Sequence, residues 1–251
     1  MSLDDLRAEV ADGCRVLAAR NLAPGFLGHI SVRIDEYRLL VRCRGRNERG
    51  LAYTTAGDVR LVDTEGRPGE RGELDGYTVP FELPLHTAVL RHRADVDVVV
   101  HAHPRDVVIA DLAGLPILPI VGAYDIPGAV LAAGGVPVFP RSALISTTDL
   151  GAAVAATLAD RPVVVMRGHG LTSTGSSIAE AVLRAQAVAT LADLSLRIVA
   201  AGGEPTPIGP EELDALPDLG VALNTETAWR HELARLAEPG LVPLAIAEVT
   251  G

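Results

Sequence analysis

The sequence predicts an α/β fold, and three observations lead to this class. Helical and strand-like hydrophobic patterns alternate along most of the 251 residues. Strand-like segments near the N-terminus follow one another directly, as in an antiparallel sheet. Two later valine runs, at 98–100 and 163–165, have the continuous apolar character of central strands buried on both faces. A chain of this length can bury one large core, so we expect a main domain over residues 1–205. Residues 206–251 are expected to be a C-terminal extension that packs on this domain or on a neighbouring subunit.

The N-terminal third predicts one helix followed by antiparallel strands. Apolar residues recur at helical spacing from Leu3 onward, and the helix is expected to end before Pro24. Residues 26–35 predict a strand, and residues 37–44 predict its hairpin partner. Residues 51–63 continue the β pattern.

The remaining elements alternate between helices and buried strands. First come a helix from Pro84 to about Arg93, a strand over 95–103 and a helix opened by Pro104. Two short proline-rich β or loop segments follow, over 112–124 and 134–140. The last three are a helix capped by Thr147 or Thr148 and ending at Leu158, a strand over 161–168, and a long helix with a Ser177 and Glu180 capping box that reaches about Ala200.

Two histidines at the end of the predicted central strand indicate a metal site. His101 and His103 are two residues apart, and residues i and i+2 of a strand face the same side. Their Cα atoms would lie about 6 to 7 Å apart, a gap that two imidazoles can close around one metal ion.

Glu82 and His169 extend this pair. Glu82 lies near the start of a predicted helix, and His169 directly follows the second valine-rich strand. Three imidazoles and a carboxylate at the ends of adjoining elements predict a divalent metal ion. Zinc, manganese, iron, cobalt and nickel all accept histidine ligands.

The absence of lysine excludes several mechanisms, since all 22 basic residues are arginine. Without a side-chain amine the protein cannot be a Schiff-base aldolase, a pyridoxal phosphate enzyme with an internal aldimine, or an enzyme with a Walker A lysine. If it breaks a carbon bond next to a carbonyl it needs another electron sink, and a metal ion is the expected one.

Composition favours a cytoplasmic protein with small-molecule ligands. The net charge of -10 argues against a nucleic-acid surface, and no apolar run has the length of a membrane span. The N-terminus lacks a basic stretch followed by an apolar one, and two cysteines do not form a disulfide framework. The basic run R-C-R-G-R-N-E-R at 42–49 is either a solvated turn or a carboxylate-binding loop.

Four motifs occur in an order that resembles the class II aldolase/adducin family. They are G-x-x-S-V-R from Gly28, E-x-x-x-H from Glu82, V-V-H-A-H-P ending at Pro104, and G-H-G-L from Gly168 followed by a long helix. The resemblance covers about residues 3–200. It implies a three-layer α/β/α sandwich with a mixed, largely antiparallel central sheet, assembled as a homotetramer with active sites at the subunit interfaces.

The resemblance also implies roles for individual residues. His101, His103 and His169 are expected to bind a divalent metal ion, with zinc as the first candidate. Glu82 is expected to be the catalytic acid/base, and Tyr124 a proton donor supplied across a subunit interface. The metal would stabilise the enolate that forms when a carbon bond breaks.

Positions that hold phosphate in the sugar-phosphate aldolases of this family differ here. Pro80 and Phe81 stand where those enzymes have a Ser-Ser pair, and His29 replaces the asparagine of their G-N-x-S loop. Their T-P-[ST]-G stretch is T-T-A-G here, ending at Gly57. Losing these hydroxyls and an amide argues against a phosphorylated sugar.

With histidine at position 29, this loop resembles that of family members that decarboxylate hydroxylated aromatic or pyridine carboxylates. On this basis we expect five residues to contact the substrate: His29, Ser31, Arg33, Thr55 and Gly57.

The resulting prediction is a metal-dependent carbon–carbon lyase that acts on a small unphosphorylated hydroxy, keto or aromatic carboxylate by decarboxylation or retro-aldol cleavage. Three alternatives stay open: a non-haem iron oxygenase on the same three histidines, a sugar-phosphate aldolase or epimerase, and a non-catalytic adducin-like binding module. Oxygen consumption would identify the oxygenase, and a protein that binds no metal would indicate the binding module.

Overall fold

Short strands and helices alternate along the computed structural model, which describes residues 2–238. The strands are β1 (His29–Arg33), β2 (Arg38–Arg42), β3 (Arg44–Gly45), β4 (Val59–Asp63), β5 (Tyr77–Thr78), β6 (Val98–Ala102), β7 (Val138–Phe139), β8 (Val163–Met166) and β9 (Gly170–Gly175). The α-helices are α1 (Leu3–Ala19), α2 (Leu83–His92), α3 (Arg105–Leu112), α4 (Ile126–Leu131), α5 (Thr148–Leu158), α6 (Ile178–Ala200), α7 (Pro210–Asp214) and α8 (Ala228–Ala237).

Seven of these strands form one sheet, in the order β4-β2-β1-β6-β9-β8-β7. Every neighbouring pair is antiparallel except β7 and β8, which are parallel. Strand β6 is the middle strand and pairs with β1 on one side and β9 on the other, while β3 and β5 form a separate ribbon. The sheet is therefore mixed and largely antiparallel, as the family resemblance implied.

The alternation of side chains along β6 defines two helical layers. Val98 and Val100 belong to the core that the sheet forms with α1, α3, α6 and α8, whereas Val99 belongs to the core formed with α2 and α5. By the same alternation His101 faces the α2 layer. The predicted three-layer α/β/α architecture is confirmed.

Polar caps begin two of the helices where the sequence predicts them. The Thr147 hydroxyl accepts a hydrogen bond from the Leu150 N–H at 3.3 Å, and the Ser177 hydroxyl accepts one from the Glu180 N–H at 3.2 Å. The second half of the predicted capping box is wrong, because the Glu180 carboxylate accepts from the N–H of Ser176, at 2.7 Å, and not from that of Ser177.

Two parts of the structure differ from the sequence prediction. Residues 51–58 contain two 3-10 turns, and only Val59–Asp63 is a strand, because Asp58 accepts hydrogen bonds from the N–H and hydroxyl of Thr55 and closes the turn. The sequence pattern also gives no sign of β9. Its six residues are all buried, yet G-L-T-S-T-G contains only one large apolar side chain.

The described part of the C-terminal extension packs on the same domain. Trp229 of α8 is buried in the core that contains α1 and α6, and the Glu232 carboxylate accepts from Nε of Arg20 at 2.7 Å. The remainder of the predicted extension, 239–251, lies outside the described residues. Within residues 2–238, no helix combines the length and the apolar character needed to cross a membrane.

The contact between α2 and α5 depends on Gly151, where an added Cβ would collide with the backbone carbonyl of Pro84. We expect Gly151→Ala to lower the free energy of unfolding by about 1 to 3 kcal/mol. This loss is expected although alanine favours a helix over glycine by about 1 kcal/mol, because the colliding atom is backbone and the two helices must separate.

Chemical denaturation measures this change. Ala152→Ser, which adds one atom at the next, exposed position of α5, is the control and should change stability by less than about 0.5 kcal/mol. Equal stability of Gly151→Ala and wild type would contradict the close contact.

Candidate metal centre

Three histidines and one glutamate converge at one end of the sheet. His101 is the fourth of the five residues of strand β6 and His103 follows the strand directly, while His169 lies between β8 and β9. Glu82 is the residue that precedes α2. Because β6 and β9 are antiparallel neighbours, the end of β6 lies beside the start of β9. The fold therefore brings together the four residues that the sequence singles out as metal ligands and acid/base.

The spacing of these side chains fits one cation. One ligand atom from each residue lies within 4.8 Å of all the others. Nε2 of His101 is 2.9 Å from Nε2 of His103 and 3.2 Å from Oε2 of Glu82. Oε1 of Glu82 is 3.6 Å from Nε2 of His169. Ligand atoms bound at about 2.1 Å to a tetrahedral metal ion lie about 3.4 Å apart, so this donor set suits a divalent metal.

The backbone of β9 orients the most deeply buried of the ligands. Nδ1 of His101 lies 3.0 Å from the carbonyl oxygen of Leu171, and a carbonyl can only accept, so Nδ1 carries the proton. This leaves Nε2 of His101 as the atom that would hold a metal ion at the cluster, which is the usual arrangement of a metal-binding histidine. Nδ1 of His169 is buried and has no hydrogen-bond partner within the described residues.

The protonation states of His103, His169 and Glu82 are those that metal binding requires. Burial, followed by the neighbouring His101, lowers the pKa of His103 to about 3, and the same two causes lower the pKa of His169. Burial would raise the pKa of Glu82, but the hydrogen bond and charge of His101 and the N–H of Ile145 outweigh it and lower this pKa to about 2. His103 and His169 are therefore neutral and Glu82 is ionised, and ligands in these states need not lose a proton to bind a metal ion.

A second buried group lies directly beside this cluster. Nε2 of His86 is 2.7 Å from Nδ1 of His29, and Nδ1 of His86 is 2.6 Å from the hydroxyl of Ser31. Nε2 of His29 in turn lies 3.9 Å from Oε2 of Glu82. Burial and then the nearby histidines lower the pKa of His29, and burial followed by His101 lowers the pKa of His86 to about 3.

His86 is the residue of this group that the predicted site omits. The signal was present in the sequence, since Glu82 and His86 are four residues apart and such residues share one face of a helix. Helical spacing could not identify the partners of His86, because Ser31 and His29 lie on β1, more than 50 residues earlier in the chain.

The structure places the other predicted substrate contacts away from the four-residue cluster. The Arg33 guanidinium donates to the carbonyls of Leu90, Arg93 and Val96 at the end of α2, whereas Glu82 lies at its start. Arg33 closes the helix end in this structure, and its contact with a substrate stays a prediction.

Thr55, Gly57 and Tyr124 make no hydrogen bond to the cluster among the described residues. Thr55 donates its hydroxyl hydrogen bond to Asp58 at 2.8 Å and lines a surface pocket of about 620 Å³. Gly57 accepts from Arg60 in the same turn. Tyr124 is 75% exposed, in the segment before α4. Their predicted roles in substrate binding and proton donation stay predictions.

Comparisons with known proteins place this geometry in context. A model of the Class II Aldolase and Adducin N-terminal domain family matches residues 8–196. A 3,4-dihydroxyphthalate decarboxylase from Terrabacter sp. (strain DBF63) is 63% identical over 230 residues, covering 92% of this chain and 96% of that protein. Another from Rhodococcus jostii (strain RHA1) is 50% identical, covering 94% and 97%. The structure of L-fuculose 1-phosphate aldolase from Glaciozyma antarctica PI12 shares the fold with a TM-score of 0.74 at 17% identity, covering 94% of this chain and 91% of that one.

Replacing single histidines tests the metal centre. We expect wild-type protein to bind about one divalent metal ion per chain, and His101→Ala and His169→Ala to lose most of it, because each removes one of three neutral nitrogen ligands. Elemental analysis after exposure to zinc, manganese or iron and removal of excess metal gives the stoichiometry. His92→Ala is the matched control, since His92 is exposed on the surface and should keep the metal. A metal content that falls equally in all three variants would rule out this site.

Proposed function

The chain belongs to the class II aldolase and adducin family and is a carbon–carbon lyase, and from this premise we propose that it is a metal-dependent decarboxylase of 3,4-dihydroxyphthalate. The observation that carries the proposal is the cluster of Glu82 with three histidines in a chain that matches decarboxylases of this substrate over nearly its whole length. Pro80 and Phe81, which replace the paired hydroxyls of the sugar-phosphate enzymes, support a substrate without phosphate.

The chemistry of the substrate indicates which carboxylate leaves. The carboxylate on C2 has a hydroxyl on the adjacent carbon, so the two groups together can chelate one metal ion, whereas the carboxylate on C1 has no such neighbour. A divalent ion held by His101, His103 and His169 would act as a Lewis acid on these oxygens and withdraw electron density from the breaking bond. Zinc is the first candidate for that ion. We expect the product to be 3,4-dihydroxybenzoate.

Glu82 is placed to move the proton that this reaction needs. Its carboxylate is ionised and is held by the N–H of Ile145 at 2.9 Å. It takes the proton of the C3 hydroxyl and delivers it to C2, so that C3 becomes a carbonyl and C2 becomes tetrahedral. The bond from C2 to its carboxylate then breaks to release carbon dioxide, its electron pair returns to the ring and restores the aromatic phenolate at C3, and a proton from water regenerates the hydroxyl.

Arg44 is the best-placed cation for the carboxylate that remains on C1. It is half-buried, its guanidinium lies over the Phe26 ring at 5.7 Å, and no acidic side chain pairs with it within residues 2–238. By contrast Arg42 is paired with Glu48 at 2.5 Å. After burial and three histidines, the charge of Arg44 also contributes to the lowered pKa of His29. The carboxylate-binding alternative for the basic run at 42–49 therefore applies best to Arg44.

The proposal also includes a cytoplasmic homotetramer. Tyr124 is exposed and outside the cluster of its own chain, which supports a role as a proton donor to a neighbouring subunit. His29, Ser31, Thr55 and Gly57 are proposed to shape the substrate site of the chain that carries them. The mass of the purified protein in solution tests the oligomeric state.

Activity and metal content together test the proposed mechanism. Metal-loaded wild-type protein should release one carbon dioxide for each 3,4-dihydroxybenzoate formed, without consuming oxygen. Glu82→Gln keeps the size of the side chain but cannot accept a proton, so kcat should fall by about 100-fold to 10,000-fold while the three histidines retain the metal. Oxygen uptake coupled to product formation would support the iron oxygenase instead. Full activity of Glu82→Gln would remove the acid/base role.

Product inhibition tests the role of Arg44. A charge-assisted hydrogen bond contributes about 1.5 to 3 kcal/mol, so Arg44→Gln should raise the inhibition constant of 3,4-dihydroxybenzoate by about tenfold or more. The inhibition constant of catechol, which lacks the carboxylate, should stay within about threefold. Arg46→Gln, at an exposed position of the same run, is the control and should leave both constants unchanged. An equal change for the two inhibitors would show that Arg44 does not bind the carboxylate.

A further inference from the structure

Ser31, His86 and His29 form a continuous hydrogen-bonded line that the proposed mechanism does not use. The distances are 2.6 Å from Ser31 Oγ to Nδ1 of His86 and 2.7 Å from Nε2 of His86 to Nδ1 of His29. Ser31 and His86 have no exposed surface, and His29 is 4% exposed. The line ends at Nε2 of His29, which faces Oε2 of Glu82 at 3.9 Å.

From this arrangement we infer that Ser31 and His86 are positioning residues that fix the tautomer of His29, so that its Nε2 carries a proton and donates a hydrogen bond to an oxygen of the bound substrate. In this direction the Ser31 hydroxyl donates to Nδ1 of His86, and the Nε2–H of His86 donates to Nδ1 of His29. The remaining proton of His29 then lies on Nε2, which points to the side where Glu82 and His101 lie.

The opposite direction leaves two groups without suitable partners. If His29 donated from Nδ1 to His86, then His86 would donate from Nδ1 to Ser31, and the buried Ser31 proton would need another acceptor. The described residues provide none for it. Nε2 of His29 would also turn its lone pair towards the ionised carboxylate of Glu82, which is repulsive. Both faults disappear when the line runs from Ser31 to His29.

The inferred donor matches an anionic substrate. The Nε2–H of His29 makes no hydrogen bond within the described residues, because Glu82 is beyond hydrogen-bond distance. A carboxylate or phenolate oxygen accepts strongly from such a buried N–H. The inference rests on the proposed function in this respect: the oxygen that His29 would hold is one of the substrate carboxylate that leaves.

The tautomer can be observed without any turnover. We expect long-range ¹H–¹⁵N spectra of ¹⁵N-histidine-labelled, zinc-loaded protein to show His29 protonated at Nε2 and unprotonated at Nδ1, with the signals assigned by their loss in His29→Gln. Ser31→Ala removes only one oxygen atom and takes away the donor at the start of the line. His29 should then become a mixture of tautomers, and Ser31→Thr, which keeps the hydroxyl, should restore the wild-type spectrum.

Kinetics then show whether this orientation matters. An incorrectly fixed tautomer of a catalytic histidine is costly in other enzymes, so kcat of Ser31→Ala should fall by about tenfold or more, with metal content and melting temperature unchanged and with recovery in Ser31→Thr. Protonation of wild-type His29 at Nδ1 would overturn the inference, and so would a Ser31→Ala variant with unaltered tautomer and rate. If the wild-type tautomer is as inferred but no carbon dioxide is released, the proposed function is wrong, whereas the inferred direction of the hydrogen-bonded line is still correct.

Discussion

The antiparallel pairing of β6 with β1 and β9 is the constraint on which the site depends. The register places His29 opposite His101 on one side and Thr172 opposite it on the other. His29 therefore lies one strand spacing from His101 on the β1 side. The turn before β9 brings His169 to the cluster from the other side. A shift of register by one residue would reverse the faces of these side chains and bury a valine where an imidazole now lies. The chemistry is thus tied to strand pairing before any ligand binds.

The second requirement is a carboxylate at the start of α2, held among imidazoles. Glu82 is 5% exposed, yet its pKa is lowered, because hydrogen bonds from His101 and from the Ile145 N–H compensate for lost hydration. Its position in turn depends on the close packing of α2 on α5 at Gly151. The packing of one helix pair therefore determines where the acid/base group lies relative to the histidines on the sheet.

The sequence carries much of this site because its strongest signals are local. His101 and His103 share a strand face, Glu82 begins a helix, and a valine-rich strand leads to His169, so spacing alone indicates a metal site. The features that could not be predicted from the sequence depend on contacts between distant segments. Strand β9 is buried between two neighbours, so small polar residues suffice and no hydrophobic pattern marks it. In the strand pattern Arg33 faces the side opposite to the apolar Val32, which is compatible with a contact to substrate. Only the fold shows that its guanidinium binds carbonyls at the end of a helix.

His29 and its partners explain how the replacement of asparagine by histidine at this position can accompany a change of substrate and reaction within the family. An amide at this position presents a fixed donor and a fixed acceptor, whereas a neutral imidazole has two tautomers and offers either. A histidine can therefore replace the amide usefully only if a neighbour decides which nitrogen carries the proton. His86 lies within 2.7 Å and is itself directed by a buried hydroxyl. The donor that faces Glu82 is therefore specified by three residues from two elements, and position 29 alone does not determine it.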